Sequence, residues 1–137
     1  MPSTSVDFGV NYVAVVVAAI IAIVIGFVWF SPQALGGRWT AYGVPAAPAR
    51  PGGSAVAVGV ISALLNSWVI ALLSLNLGGA TIGDGVVLGI LVWVGFIATV
   101  TAAEFAFLRR PWGAWVVNNV HHLIVQVVLG AIVTVWR

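Results

Sequence analysis

Residues 10–30, VNYVAVVVAAIIAIVIGFVWF, run for 21 positions without a charged side chain. At 1.5 Å per residue, a helix of that length covers a hydrocarbon core of ~30 Å. Three further apolar runs follow, at residues 55–77, 86–108 and 114–136. Lipid offers no hydrogen-bond partner to backbone N–H and C=O groups, so single runs of this length are helices rather than open strands. Together they predict an all-α, integral membrane four-helix bundle, a single transmembrane domain over residues 1–137 whose surroundings are a lipid bilayer.

Composition agrees. The chain is 62% hydrophobic and 6% charged, whereas soluble domains carry roughly 25% charged residues. The four runs leave no room for a sizeable water-soluble domain. Five Arg against three acids give a net charge of +2, but no basic stripe forms, which argues against a nucleic-acid partner. With no Cys, the sequence offers neither disulfides nor thiol chemistry. A cleavable signal peptide is not expected. Before the first run there is Asp7 instead of a positive region, and the run is too long for a signal's apolar stretch.

Arginine placement predicts orientation. The connection at residues 31–54 and the link at residues 109–113 hold Arg38, Arg50, Arg109 and Arg110; the opposite side holds Arg137, with Asp7 and Asp84. A four-to-one bias puts both termini outside and the Arg-bearing loops, including the one between helices one and two, in the cytoplasm. Trp29, Phe30, Trp39, Tyr42, Trp112 and Trp115 form one aromatic belt, and Phe8, Tyr12 and Trp136 the other.

Ser31-Pro32 ends the first helix, because Pro lacks an N–H and disfavours helical geometry in the residue before it. Residues 33–42 mix Leu35, Trp39 and Tyr42 with Arg38, as expected of a segment lying on the membrane surface. Residues 44–53, VPAAPARPGG, read as a tether. In contrast, Arg109-Arg110-Pro111-Trp112-Gly113 is a tight link that makes helices three and four an antiparallel hairpin. Gly78-Gly79 and Gly83-Asp84-Gly85 form the other turn. Small residues recur at four-residue spacing: Ala14, Ala18, Ala22 and Gly26; Ala55, Gly59, Ala63, Ser67 and Ala71; Gly85 and Gly89; Ala98, Ala102 and Ala106. Such ladders let backbones approach, within one chain or between subunits. Trp68 and Trp93 lie off the belts and fill the bundle or a subunit contact.

Chemistry has few places to sit. At about 100° per residue, Asn118, His122 and Gln126 share one stripe of helix four, with Asn119 beside it and His121 pointing elsewhere. Glu104 lies ~6 Å from the end of helix three, and residues 118–122 lie ~8–14 Å beyond Gly113. The hairpin therefore brings Glu104, Asn118, Asn119, His122 and Gln126 to similar depth as a candidate polar cluster. Intramembrane ionisable groups invite a functional reading. The plainer alternatives are a Glu104 ion pair with Arg109 or Arg110, and histidines held in hydrogen-bonded packing. Asn66, with Ser62 and Ser67, reads as interhelical glue worth ~0.6 kcal/mol per bond. Trp29, Ser31, Pro32, Arg38, Trp39, Arg110, Pro111 and Trp112 are the interfacial residues.

The first helix closes Gly26-Phe27-Val28-Trp29-Phe30-Ser31-Pro32, with Gly37 and Trp39 following. The last third runs Arg110-Pro111-Trp112, then Asn118, His122, Gly130 and Trp136. This pattern resembles the small bacterial membrane proteins grouped as domain of unknown function 1761, over nearly the whole chain. The resemblance implies a four-helix protein of the bacterial inner (plasma) membrane and supplies no substrate or reaction.

Three function classes remain. An accessory or scaffolding subunit, in a homo-oligomer or a larger membrane complex, fits the small size and scarce polar groups. A proton-linked transporter or channel would use the Glu/His/Asn cluster, although no helix is visibly broken at mid-membrane. An enzyme or haem carrier is the third. Phosphoryl-transfer, protease and zinc motifs are missing, and a bis-His haem would need His from two helices, hence a dimer. No catalytic residue, metal or cofactor is expected from the residues.

Overall fold

The computed structural model describes residues 5–44 and 51–137. In chain order the elements are α1 (Tyr12–Trp29), α2 (Gly36–Ala41), α3 (Gly53–Asn76), α4 (Ile82–Val92), a six-residue π segment (Trp93–Ala98), α5 (Thr99–Phe107) and α6 (Trp112–Val135). The π segment joins α4 and α5 into one rod, Ile82–Phe107. The described residues are thus all-helical in architecture, and among them four helices are long and apolar enough to cross a bilayer. Residues 45–50, including Arg50 and part of the Pro/Ala tether, lie outside the described residues.

Helix boundaries follow from where the free end groups of the backbone find partners. Asn11 caps α1, its Oδ1 accepting from the N–H groups of Val13 and Ala14 at 3.0 and 3.1 Å. At the other end Ser31 Oγ donates to the Val28 carbonyl at 2.7 Å, just before Pro32 forbids continuation. Gly78 takes φ +76°, and the following Gly79 N–H donates back to Ser74 at 2.9 Å, closing α3 with a left-handed turn. Thr81 and Asp84 then form a reciprocal capping box. That box starts the third span at Ile82, so Gly83, Asp84 and Gly85 are helical rather than part of the turn.

Asp7 and Arg137 both reach the end of the bundle at which α3 finishes. Asp7 N–H donates to Asn76 Oδ1 at 2.8 Å, Asn76 Nδ2 donates back to the Asp7 carbonyl at 2.9 Å, and Arg137 reaches the Ser74 carbonyl at 3.5 Å. This is the terminal end; Arg38, Arg109 and Arg110 mark the opposite, arginine end. The core lies mostly in the half near the terminal end. It joins Val15, Ala18 and Ala22 of α1, Ile70 and Ala71 of α3, and Val125, Leu129 and Val133 of α6. Two buried hydrogen bonds tie these helices: Ser67 Oγ donates to the Val15 carbonyl at 2.8 Å, and Ser74 and Thr134 share one at 2.7 Å. The closest approach is between α4 and α6. A Cβ on Gly85 would strike the Gly130 backbone, and one on Gly89 the Gln126 backbone.

The small-residue ladders are used unevenly. Ala14, Ala18 and Ala22 of α1 are buried, as are Ser67 and Ala71 of α3. Residues 53–62, in contrast, are exposed without exception, and nothing lies within 4 Å of where a Gly59 Cβ would stand. The arginine-end half of α3 has left the bundle. At that end α2 packs on α6 instead, with the Tyr42 ring against Gly113.

Candidate functional site

The π segment sets the geometry of the polar residues. Above it the third span is held tightly to α6 through Gly85, Gly89 and Gly130; beyond it, large side chains fill the interval. Trp93 Nε1 donates across to the Asn119 carbonyl at 2.9 Å. Trp115 Nε1 donates to Thr101 Oγ1 at 3.1 Å, Thr101 Oγ1 lies 3.0 Å from Asn119 Oδ1, and Asn119 Nδ2 donates to the Trp115 carbonyl at 3.0 Å. Thr101 also has its own helix carbonyl, Ile97, at 2.7 Å. This closed ring satisfies Asn119, which is 1% exposed, and makes it a strut between the two spans. Thr101 escapes a sequence reading because a threonine inside an apolar helix ordinarily bonds its own preceding turn.

His121 points to α1. Its ring lies 5.1 Å from Phe30 and 6.4 Å from Trp29, centroid to centroid, and its Nε2 is 3.5 Å from where a Gly26 Cβ would be. Both ring nitrogens are buried without a hydrogen-bond partner, whereas hydrogen-bonded packing is the reading the sequence offers. His122 sits 5.1 Å from His121, ring to ring, and is half-buried, as is Asn118. At about 100° per residue, Asn118 and His122 fall between the direction of His121 and that of Asn119. Further along α6, that stripe joins the core through Leu129 and Val133. Gln126 is 2% exposed and its Oε1 has no partner.

Glu104 is exposed on α5, and among the described residues its carboxylate has neither a hydrogen bond nor an ion pair. Hydrogen bonds thus join Asn119 with Thr101, Trp93 and Trp115, and a ring contact joins His122 with His121; among the described residues no hydrogen bond or ion pair joins Glu104 to Asn118 or His122. Asn66 is half-buried near the middle of α3, its side-chain amide without a hydrogen bond among the described residues, and Ser62 is exposed one turn away. Ser67 is the member of that trio that bonds a neighbouring helix. Among the described residues no group of three His, Cys, Asp or Glu side chains is placed to hold a metal ion.

The interfacial residues meet at the arginine end. Trp29 Nε1 donates to the Val117 carbonyl at 2.9 Å. Phe30 meets Trp39 edge-on at 5.3 Å, and Trp112 meets Trp115 at 6.0 Å. The Arg110 guanidinium lies 5.9 Å over the Phe105 ring. A groove of about 350 Å³ runs between the Tyr42–Val44 turn and the link between α5 and α6, with Arg109, Arg110 and Pro111 on its wall.

A family model described as "Protein of unknown function (DUF1761)" matches residues 13–134. No curated protein and no solved structure matches the chain.

Proposed function

We propose that this chain, which belongs to the DUF1761 family of unknown function, works as an accessory or scaffolding subunit of a larger membrane assembly. The observation that carries this is the free half of α3. Residues 53–62 are exposed on every face, yet Ala55, Gly59, Ser62 and Asn66 lie within about 60° of one another on the helix. Asn66 has two N–H donors and a carbonyl, stands near mid-span and has no partner of its own. In hydrocarbon an unpaired amide is costly, and a neighbouring transmembrane helix is the usual remedy. The assembly would sit in a bacterial inner membrane with the arginine end in the cytoplasm.

Site-specific photocrosslinking in the native membrane tests this. A photoreactive residue at Gly59 or Ser62 should give a discrete protein adduct, whether to a second copy or another chain. The same residue at Ala57 or Ile61, on the opposite face, should give lipid adducts. Lipid adducts at all four positions would overturn the subunit proposal.

A proton-linked transporter or channel is the second reading, favoured by the π segment. Such segments recur at functional sites, and this one interrupts the centre of the third span. On this reading the unpaired His122 and Asn118, with Glu104 nearer the interface, would pass protons. Glu104→Gln and His122→Ala should each abolish proton flux in liposomes while leaving assembly intact. Flux unchanged in both variants would remove this reading.

A further inference from the structure

The groove at the arginine end is chemically unlike the rest of the molecule. Its wall carries Arg109 and Arg110, and Tyr42, Phe105, Pro111 and Ala114 complete it. Among the described residues neither guanidinium has an ion pair or a side-chain hydrogen bond, and that of Arg110 lies over the Phe105 ring. A cation–π contact leaves the guanidinium N–H groups without a hydrogen-bond acceptor. The groove also borders the start of α6, a 24-residue helix whose first residue follows Pro111 and which no side chain caps. Uncapped N–H groups and the positive end of the helix dipole add to the same field.

The backbone at Arg109 bears on the same groove. Arg109 is the one non-glycine residue with positive φ among the described residues, at +52°. Glycine occupies this left-handed conformation freely, whereas an L side chain is strained there. A chain needing only a tight turn is better served by Gly. Backbone strain retained at one residue marks a side chain that is wanted at that place.

We infer that this groove binds the phosphate of an anionic phospholipid, with Arg109 and Arg110 as its ligands and Tyr42 flanking them. Guanidinium groups match phosphate oxygens with paired N–H donors. The groove's volume suits a headgroup. Its wall includes Pro111, next in the chain to Trp112 of the aromatic belt, the level at which phospholipid headgroups lie. Basic pockets of this kind on the cytoplasmic side of membrane proteins hold anionic headgroups.

The arginines have a plainer use, setting orientation, and detergent separates the two because orientation has no meaning in a micelle. Native mass spectrometry of the purified full chain would compare retention of phosphatidylglycerol with that of phosphatidylethanolamine. Wild type should retain phosphatidylglycerol preferentially. Arg109→Gly and Arg110→Gln should each weaken it about fivefold, and the pair about 25-fold, the effect of ~1 kcal/mol per basic residue. Arg109→Gly is the informative variant, since it relieves strain and so loses lipid without losing the fold. Inorganic phosphate should not displace the lipid, because its glycerol and acyl parts also contribute. Equal retention of the two lipids, unchanged retention in both variants, or displacement by inorganic phosphate would each overturn the proposal.

Discussion

Arg109 and Gly78 occupy the same backbone position in two turns, each just past the end of a helix and each with positive φ, +52° and +76°. After Arg109, the Arg110 N–H donates to the Phe105 carbonyl at 2.9 Å; after Gly78, the Gly79 N–H donates to Ser74 at 2.9 Å. The two sites therefore make a matched pair with opposite residue choices. Arg109→Gly should raise stability in detergent and Gly78→Ala should lower it, each by about 1 kcal/mol, the scale of the left-handed penalty for an L residue. Thermal unfolding of the two variants in one detergent checks both. If Arg109→Gly lowers stability, the arginine side chain holds the turn more firmly than its backbone strains it. The glycine at the first turn was legible as a turn residue from Gly78-Gly79. The strain at Arg109 was not, because a sequence gives charge and turn length but not which residue of the link takes positive φ.

Among the elements, the third span and α3 show how far a repeated pattern of small residues predicts packing. Both carry small residues at four-residue spacing. Gly85 and Gly89 meet α6 backbone at Gly130 and Gln126, whereas Gly59 meets nothing. Replacing Gly85, Gly89 or Gly130 with Leu should destabilise the isolated chain by at least the ~1–3 kcal/mol typical of overpacking, since here backbone rather than side chains would have to move. Gly59→Leu should leave the isolated chain's melting unchanged and weaken only its association with another chain. Detergent melting of the four variants, set beside crosslinking yield in membranes, checks the contrast; a large loss for Gly59→Leu would show that residues 53–62 fold back onto the bundle. The ladders themselves were legible, but the face a helix turns to its neighbour depends on how the helices lean, which no local pattern encodes. The same limit hid the ring of Trp115, Thr101 and Asn119. That ring depends on a π segment, residues 93–98, whose composition, WVGFIA, is that of an ordinary apolar helix.

For the whole molecule, the four apolar runs decide the architecture, because a bilayer admits so few solutions for a chain this poor in charge. Orientation is a separate question, settled by forces outside the folded chain. Arg38, Arg50, Arg109 and Arg110 fall on one side of the four spans and Arg137 alone on the other. In sequence all four lie within about 20 residues of a span end, where the bias acts most strongly. A chain inserted the other way would carry four guanidinium groups across the membrane instead of one. We therefore expect a single orientation, with the arginine end in the cytoplasm and any oligomer parallel. The chain has no native Cys, so single introduced thiols report cleanly. Val6→Cys should react with an impermeant maleimide on intact spheroplasts, and Gln33→Cys only after permeabilisation. Removing Arg109 and Arg110 together would cut the bias to two against one and should produce a mixed population. Comparable labelling of both wild-type reporters from outside would mean that the chain inserts both ways, and an antiparallel pair would then become the natural assembly.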